Sequence, residues 1–286
     1  MFLGYNTNGL AHHHPLAAVE LVADLGYRGL GLTIDHGLCS PFTDDWQASA
    51  DALLAAFEKH QLRSVIETGA RYLLDPRLKH EPTLVSPEPA QRLVRVEFLL
   101  WAIDIAVELG IDCVSFWSGV VRDGADEMTA WRRLLEGLKP VVAYAVQRNV
   151  VLAFEPEPGM FIDTMARYEE LLDQLNAPQF RLTLDLGHLH CQGETPIPSF
   201  IRRFRQQIAN VHIEDMRQGV HEHLMFGEGE MNFPPIFAAL REIDYQGGLY
   251  VELSRHSHEG PAAARRAIQF LTPLLHPTRS PASRPE

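Results

Sequence analysis

The sequence is poor in cysteine, and its three, Cys39, Cys113 and Cys191, are odd in number and far apart. No CxxC occurs, so neither a disulfide framework nor a zinc ribbon is expected. Long apolar runs are missing as well. None reaches the length of a membrane span, and residues 1–30 lack a basic stretch followed by an apolar core. The chain is therefore expected in the cytoplasm with no membrane partner. Basic charge is in deficit, 25 Lys and Arg against 37 Asp and Glu, for a net charge of −12. Binding a phosphate backbone needs clustered Lys and Arg, so nucleic acid is not an expected partner. The dinucleotide fingerprint GxGxxG is absent after the first strand. GLGL at Gly29–Leu32 lies inside a strand and lacks the third glycine.

What is present is an ordinary globular composition, 46% hydrophobic and 22% charged, enough for a packed core. Apolar strand-like runs alternate with amphipathic stretches along most of the chain. Phe2–Tyr5, Gly29–Ile34, Ser64–Ile66, Cys113–Trp117, Val150–Glu155, Arg181–Asp185, Asn210–His212 and Gly248–Glu252 read as strands. Helices are expected from Pro15 to Leu25, over Trp46–Gln61, 90–109, Trp131–Arg148, Thr164–Asn176, Pro198–Gln207, Pro234–Ile243 and Pro261–Leu275. Pro140 should break or kink the fourth of these. The His12–His14 run reads as native loop. Such alternation implies a parallel sheet with helices outside, and eight units favour a single (β/α)8 TIM barrel over residues 1–275. An open doubly wound sheet is the runner-up. Residues 276–286, HPTRSPASRPE, read as a mobile tail.

Four strands share a grammar. VVLAFEPE, RLTLDLGH, IANVHIED and GLYVELSRH each carry an acid or a histidine at the C-terminal end: Glu155, Asp185, His212 and Glu252. In a barrel those ends converge on one mouth, where active sites form. An isolated acid after a strand is usually a helix cap or a solvated loop residue, and an isolated histidine usually a satisfied neighbour. Four at equivalent positions of successive units are a different matter. Three carboxylates at one spot repel and take up protons unless a cation offsets them. The oxygen-rich set suits one divalent ion such as Mn²⁺, Mg²⁺, Co²⁺ or Zn²⁺. Around the same rim, Glu67 and Arg71 leave the third strand, followed by a polar segment with Lys79 and His80 able to cover a substrate or meet an anion. Trp117 can wall the pocket by stacking on apolar ring faces.

The series FEPEPG, LTLDLGHLH, NVHIED, FGEGEMNF and YVELSRH resembles the xylose isomerase-like barrels, the group of sugar-phosphate isomerases and epimerases and endonuclease IV. The resemblance implies that Glu155, Asp185, His212 and Glu252 bind one metal. It implies too that Glu155 and Glu252 exchange protons with a ketose through an enediolate, and that His188 contacts the substrate's oxygens. Arg217 falls one position from a substrate-binding arginine of the epimerases. Phe161 stands where those enzymes place a substrate-binding acid. Endonuclease IV-type enzymes hold three zincs, and His188, His221 and His223 echo one of those sites, which raises a second metal. Glu67 and Trp117 occupy positions where such enzymes have histidines.

The expectation is a metal-dependent isomerase or epimerase of a ketose, keto-polyol or sugar phosphate, with a sugar or polyol as its partner and a homo-oligomer open. The alternatives are an endonuclease IV-like phosphodiesterase, a keto-cyclitol dehydratase and a noncatalytic metal- or polyol-binding barrel.

Overall fold

Near-continuous burial along eight strands decides the architecture. The computed structural model describes residues 1–43 and 46–276. In chain order the elements are β1 (Phe2–Asn6), α1 (Pro15–Asp24), β2 (Gly29–Thr33), α2 (Trp46–His60), β3 (Arg63–Glu67), α3 (Pro89–Glu108), β4 (Val114–Phe116), α4 (Glu127–Arg148), β5 (Leu152–Phe154) and α5 (Met165–Leu175). Then come β6 (Phe180–Asp185), α6 (Leu186–Cys191), α7 (Ile197–Arg203), β7 (Ile208–Ile213), β8 (Asp215–Arg217), β9 (Val220–Leu224), α8 (Phe233–Glu242), β10 (Gly248–Val251) and α9 (Gly260–Leu275). Strands β1 to β7 and β10 form a closed parallel barrel, in which β1 joins β10 and β2. This is the (β/α)8 barrel expected from the alternation.

Side chains two apart on a strand share a face, so the interior is layered. Val65, Cys113, Ala153 and Tyr250 make a buried apolar cluster low in the barrel. Glycines make room for the Tyr250 ring. A Cβ at Gly4 would lie 2.4 Å from Tyr250 Cδ1, and one at Gly248 2.5 Å from Cε2. Two residues on, the same four strands carry Glu67, Ser115, Glu155 and Glu252. The larger core lies between strands and helices, and includes Leu30, Leu99, Phe154, Phe180 and Phe237.

Three local expectations need correction. Pro140 does not break α4, which runs unbroken across it. The proline is on the solvent side, where water can take the Glu136 carbonyl, while Leu134, Leu138, Val141 and Ala145 hold the opposite face in the core. The helix also starts earlier than its apolar pattern suggests, because Asp126 caps it by accepting from Thr129 N at 2.7 Å. The loop expected after β7 contains the antiparallel hairpin β8–β9. The expected tail falls, from 277 onward, outside the described residues. Among the described residues, no helix is long and apolar enough to cross a membrane.

Candidate active site

The strand-end residues do meet. His212 enters from β7, paired in register with Asp185 on one side and Tyr250 on the other. Its Nδ1 lies 2.9 Å from Glu155 Oε1, 3.1 Å from Glu252 Oε2 and 3.8 Å from Asp185 Oδ2. Ligand atoms of Glu155, Asp185, His212 and Glu252 all fall within 4.8 Å of one another. On its far side, His212 Nε2 is 2.8 Å from Glu67 Oε1, which fixes the ring and directs Nδ1 at the carboxylates. Glu67 thus lines the cavity and steadies the histidine as well.

Local folding explains how Asp185 is aimed. It ends β6 and caps α6, with Oδ1 accepting from His188 N at 2.8 Å. Its Oδ2 is buried with no hydrogen-bond partner. Gly187 is needed in that turn, since a Cβ there would sit on Glu214 Oε1. Both Glu214 oxygens are also buried and unpartnered. An unpartnered carboxylate oxygen costs too much to leave bare. The donor set, three carboxylates converging on one imidazole nitrogen, therefore fits a divalent ion.

The protonation pattern says the same. Burial, with Glu252 and Asp185 nearby, pushes Glu155 up to about 8, although His212 pulls the other way. Burial opposes charging of His212, yet the Glu67, Glu155 and Glu252 carboxylates hold it well above the usual imidazole range. Burial works against Glu252 too, but His212 keeps its carboxyl low. Glu157 and Glu214 are pushed well up by burial and by the acids beside them.

A second cluster adjoins the first. His188 Nδ1 lies 3.3 Å from the Pro156 carbonyl, which leaves Nε2 facing Asp185 at 3.6 Å and His221 Nε2 at 3.1 Å. Burial depresses His188 to about 3, so its ring is neutral. His188, His221 and His223 also offer ligand atoms within 4.8 Å of one another. The last two come from β9, so the hairpin overlooked in the sequence is what delivers them.

Above both clusters is a cavity of about 400 Å³ lined by Glu67, Arg71, Lys79, Trp117, Glu155, Glu157, His221, His223, Glu252 and Arg255, among others. Arg71 donates to the Asn8 carbonyl at 2.6 Å. Arg217 is not gathered in: it is exposed, outside the cavity lining, and donates to the Glu228 carbonyl at 2.9 Å. Phe161 is engaged by Trp131, ring centroids 5.2 Å apart, and lies off the cavity lining.

Three participants were not singled out from the sequence. Asn8 Nδ2 donates to Glu252 Oε1 at 2.8 Å and Asn6 Nδ2 to Glu252 Oε2 at 3.5 Å. The signal was available: ring closure puts the end of β1 beside the end of β10. Glu214, one residue before Asp215 in NVHIED, is the third.

Residues 19–274 match the family described as xylose isomerase-like TIM barrel. The chain belongs to that family. It is 29% identical over 251 residues to the L-ribulose-5-phosphate 3-epimerase UlaE of Shigella flexneri serotype 5b (strain 8401), covering 87% of this chain and 85% of the relative. Solved structures with the same fold include the IOLI protein with a bound zinc atom (TM-score 0.76, 18% identity, 96% of this chain and 98% of that one). Another is D-psicose 3-epimerase with D-tagatose from Clostridium cellulolyticum H10 (TM-score 0.75, 18% identity, 96% and 99%).

Proposed function

We propose that this family member is a divalent-metal-dependent epimerase or isomerase of a ketose or keto-polyol. The observation that carries the reading is the placement of Glu155 and Glu252, which flank Asp185 and His212 in the ring of strands and face one sugar-sized cavity. Glu155, Asp185, His212 and Glu252 would hold the ion. When bound, it polarises the substrate carbonyl and offsets the charge of an enediolate.

The remaining work falls to the chain. One glutamate removes the proton beside the carbonyl and the other returns one to the opposite face, giving the epimer. Removal from C1 with return to C2, the hydroxyl proton passing from O1 to O2, gives the aldose instead. The two carboxyls suit an exchange of this kind because their surroundings differ, Glu155 pushed up and Glu252 held low. Asn8 and Asn6 orient the Glu252 carboxylate. Trp117 closes one wall against water. Support from the relatives is of the same kind, since both epimerases above are 3-epimerases, one of a phosphorylated ketose. Arg71, Lys79 and Arg255 at the mouth favour a substrate with an anionic end. His188, His221 and His223 would hold a second ion, or His188 would contact the substrate's oxygens.

The test is exchange of solvent deuterium into a panel of free and phosphorylated ketoses by the metal-loaded protein. Exchange lost in Glu155→Gln and Glu252→Gln supports the reading. No exchange with metal intact would overturn it. Nicking of abasic DNA, dehydration of a keto-cyclitol, or polyol binding without turnover would then point to the respective alternative.

A further inference from the structure

The segment between β3 and α3 supplies Arg71, Lys79 and His80 to the cavity wall, yet it holds an unfavourable backbone. Ala70 and His80 both lie in the left-handed region, at φ 51° and 69°, where a side chain crowds its own carbonyl. Such a conformation persists only if the surroundings fix it.

Within the segment His80 Nδ1 meets the Gly69 carbonyl at 2.6 Å and Leu73 N donates to the Ala70 carbonyl at 2.8 Å; the group that holds it from outside is Arg95. It projects from α3, is 2% exposed and makes three hydrogen bonds to this one segment. Nε donates to Pro82 O at 2.8 Å, Nη1 to Thr68 O at 3.0 Å and Nη2 to His80 O at 2.7 Å. The guanidinium also lies over the rings of Trp117, at 4.8 Å, and Phe98, at 5.4 Å. The one carboxylate that acts on it is Glu81, whose oxygens are taken by Arg122 and Ser86. Elsewhere in this acid-rich chain arginines take carboxylates directly, as Arg133 does with Asp123 and Arg148 with Asp104. Burying a cation among carbonyls alone is expensive. The return is local: carbonyls at both ends of the segment turn inward to one rigid fork, and one cavity wall, Trp117, is stacked on the same group.

We propose that Arg95 is a positioning residue for substrate binding. It pins the Thr68–Pro82 segment so that Arg71, Lys79 and His80 are presented to the cavity, and it sets KM while proton transfer stays with the strand-end glutamates. The part concerning KM rests on the epimerase or isomerase reading; the hold on the segment does not.

The experiment compares metal-loaded wild type, Arg95→Met and Arg95→Lys by amide hydrogen exchange and by kinetics on the best ketose. Exchange over 69–81 should quicken by about tenfold or more in Arg95→Met and less in Arg95→Lys, with β5 to β7 unchanged. KM should rise roughly ten- to thirtyfold with kcat within about threefold. If Arg95→Met does not fold, Arg95→Lys carries the test, since it keeps the charge but not the fork. Unchanged exchange over 69–81, loosening that spreads equally through the barrel, or a fall in kcat at constant KM would each overturn the proposal. A wild type that turns over no ketose would sink the epimerase or isomerase reading instead, and the exchange comparison would still decide whether Arg95 holds the segment.

Discussion

The lower and upper layers of the barrel interior are built on the same strands, two residues apart, and do opposite things. Below, Val65, Cys113, Ala153 and Tyr250 fill space with apolar surface. Above, Glu67, Ser115, Glu155 and Glu252 stand on the same faces, and strands β6 and β7 add Asp185 and His212. The lower layer is almost wholly apolar, with only the buried Tyr250 hydroxyl left without a partner among its side chains. The upper layer breaks several packing rules, with like charges crowded together and buried oxygens of Asp185 and Glu214 left unpartnered. Where a chain keeps such conflicts they mark function, and here they surround the proposed cation site.

The comparison is broken most severely by removing the two proposed proton-transfer groups. Glu155→Gln and Glu252→Gln should each lower kcat by about a thousandfold, while thermal unfolding still shows a cooperative barrel. Kinetics on the deuterium-exchanging substrate, beside a melting curve, check this. In the lower layer the pattern should invert. Tyr250→Ala should cost about 3–5 kcal/mol of stability, measured by denaturant unfolding, with kcat of the remaining folded protein little changed. Equal loss of activity in that variant would show that the layers are not separable.

A smaller effect is expected one step outside the ligands. Glu67→Gln keeps the shape but weakens the acceptor for His212 Nε2, and metal affinity should fall by roughly 10–100-fold, read by calorimetric titration. Unchanged affinity would mean that Glu67 serves the substrate alone.

The smallest is a pH slope in the metal-stripped protein. Glu155 is raised to about 8 from an ordinary 4.5. Its contribution to stability is complete below the unfolded value and is lost as pH rises toward 8, because the unfolded chain gives up the proton first. His212, also held high, acts in the same direction from its ordinary value upward. Glu252 and Asp185, held low, act oppositely, and only in more acid solution. His188 and His80, pressed by burial to about 3 and 4, act oppositely up to the ordinary imidazole value, so the melting temperature of the stripped protein should fall between about pH 6.5 and 8, and Glu155→Gln should flatten that slope. A rise over the same range would contradict the assignment of the raised carboxyl.

What could be read from the sequence followed from strand periodicity. A buried parallel strand is an apolar run, and an acid or histidine at its end stands out, so the barrel and its four strand-end residues were visible. Ring closure was harder to use: Asn6 and Asn8 look like loop polarity until β1 is set beside β10. Arg95 was hidden in the apolar run LVRVEFLL, where only its spacing from Phe98, Leu99 and Ala102 shows that it points inward. Pro140 misled because propensity is local while the packed face of α4 is not. The β8–β9 hairpin has too little alternation to announce itself, and the His221–His223 pair looked like loop for that reason.

The most direct measurement is a crystal of the protein grown with Mn²⁺ and examined by anomalous diffraction. The account predicts a peak bounded by Glu155, Asp185, His212 Nδ1 and Glu252, each ligand atom about 2.0–2.4 Å away. Anomalous density elsewhere, or none at saturating Mn²⁺ with the four side chains still hydrogen-bonded to one another, would contradict it.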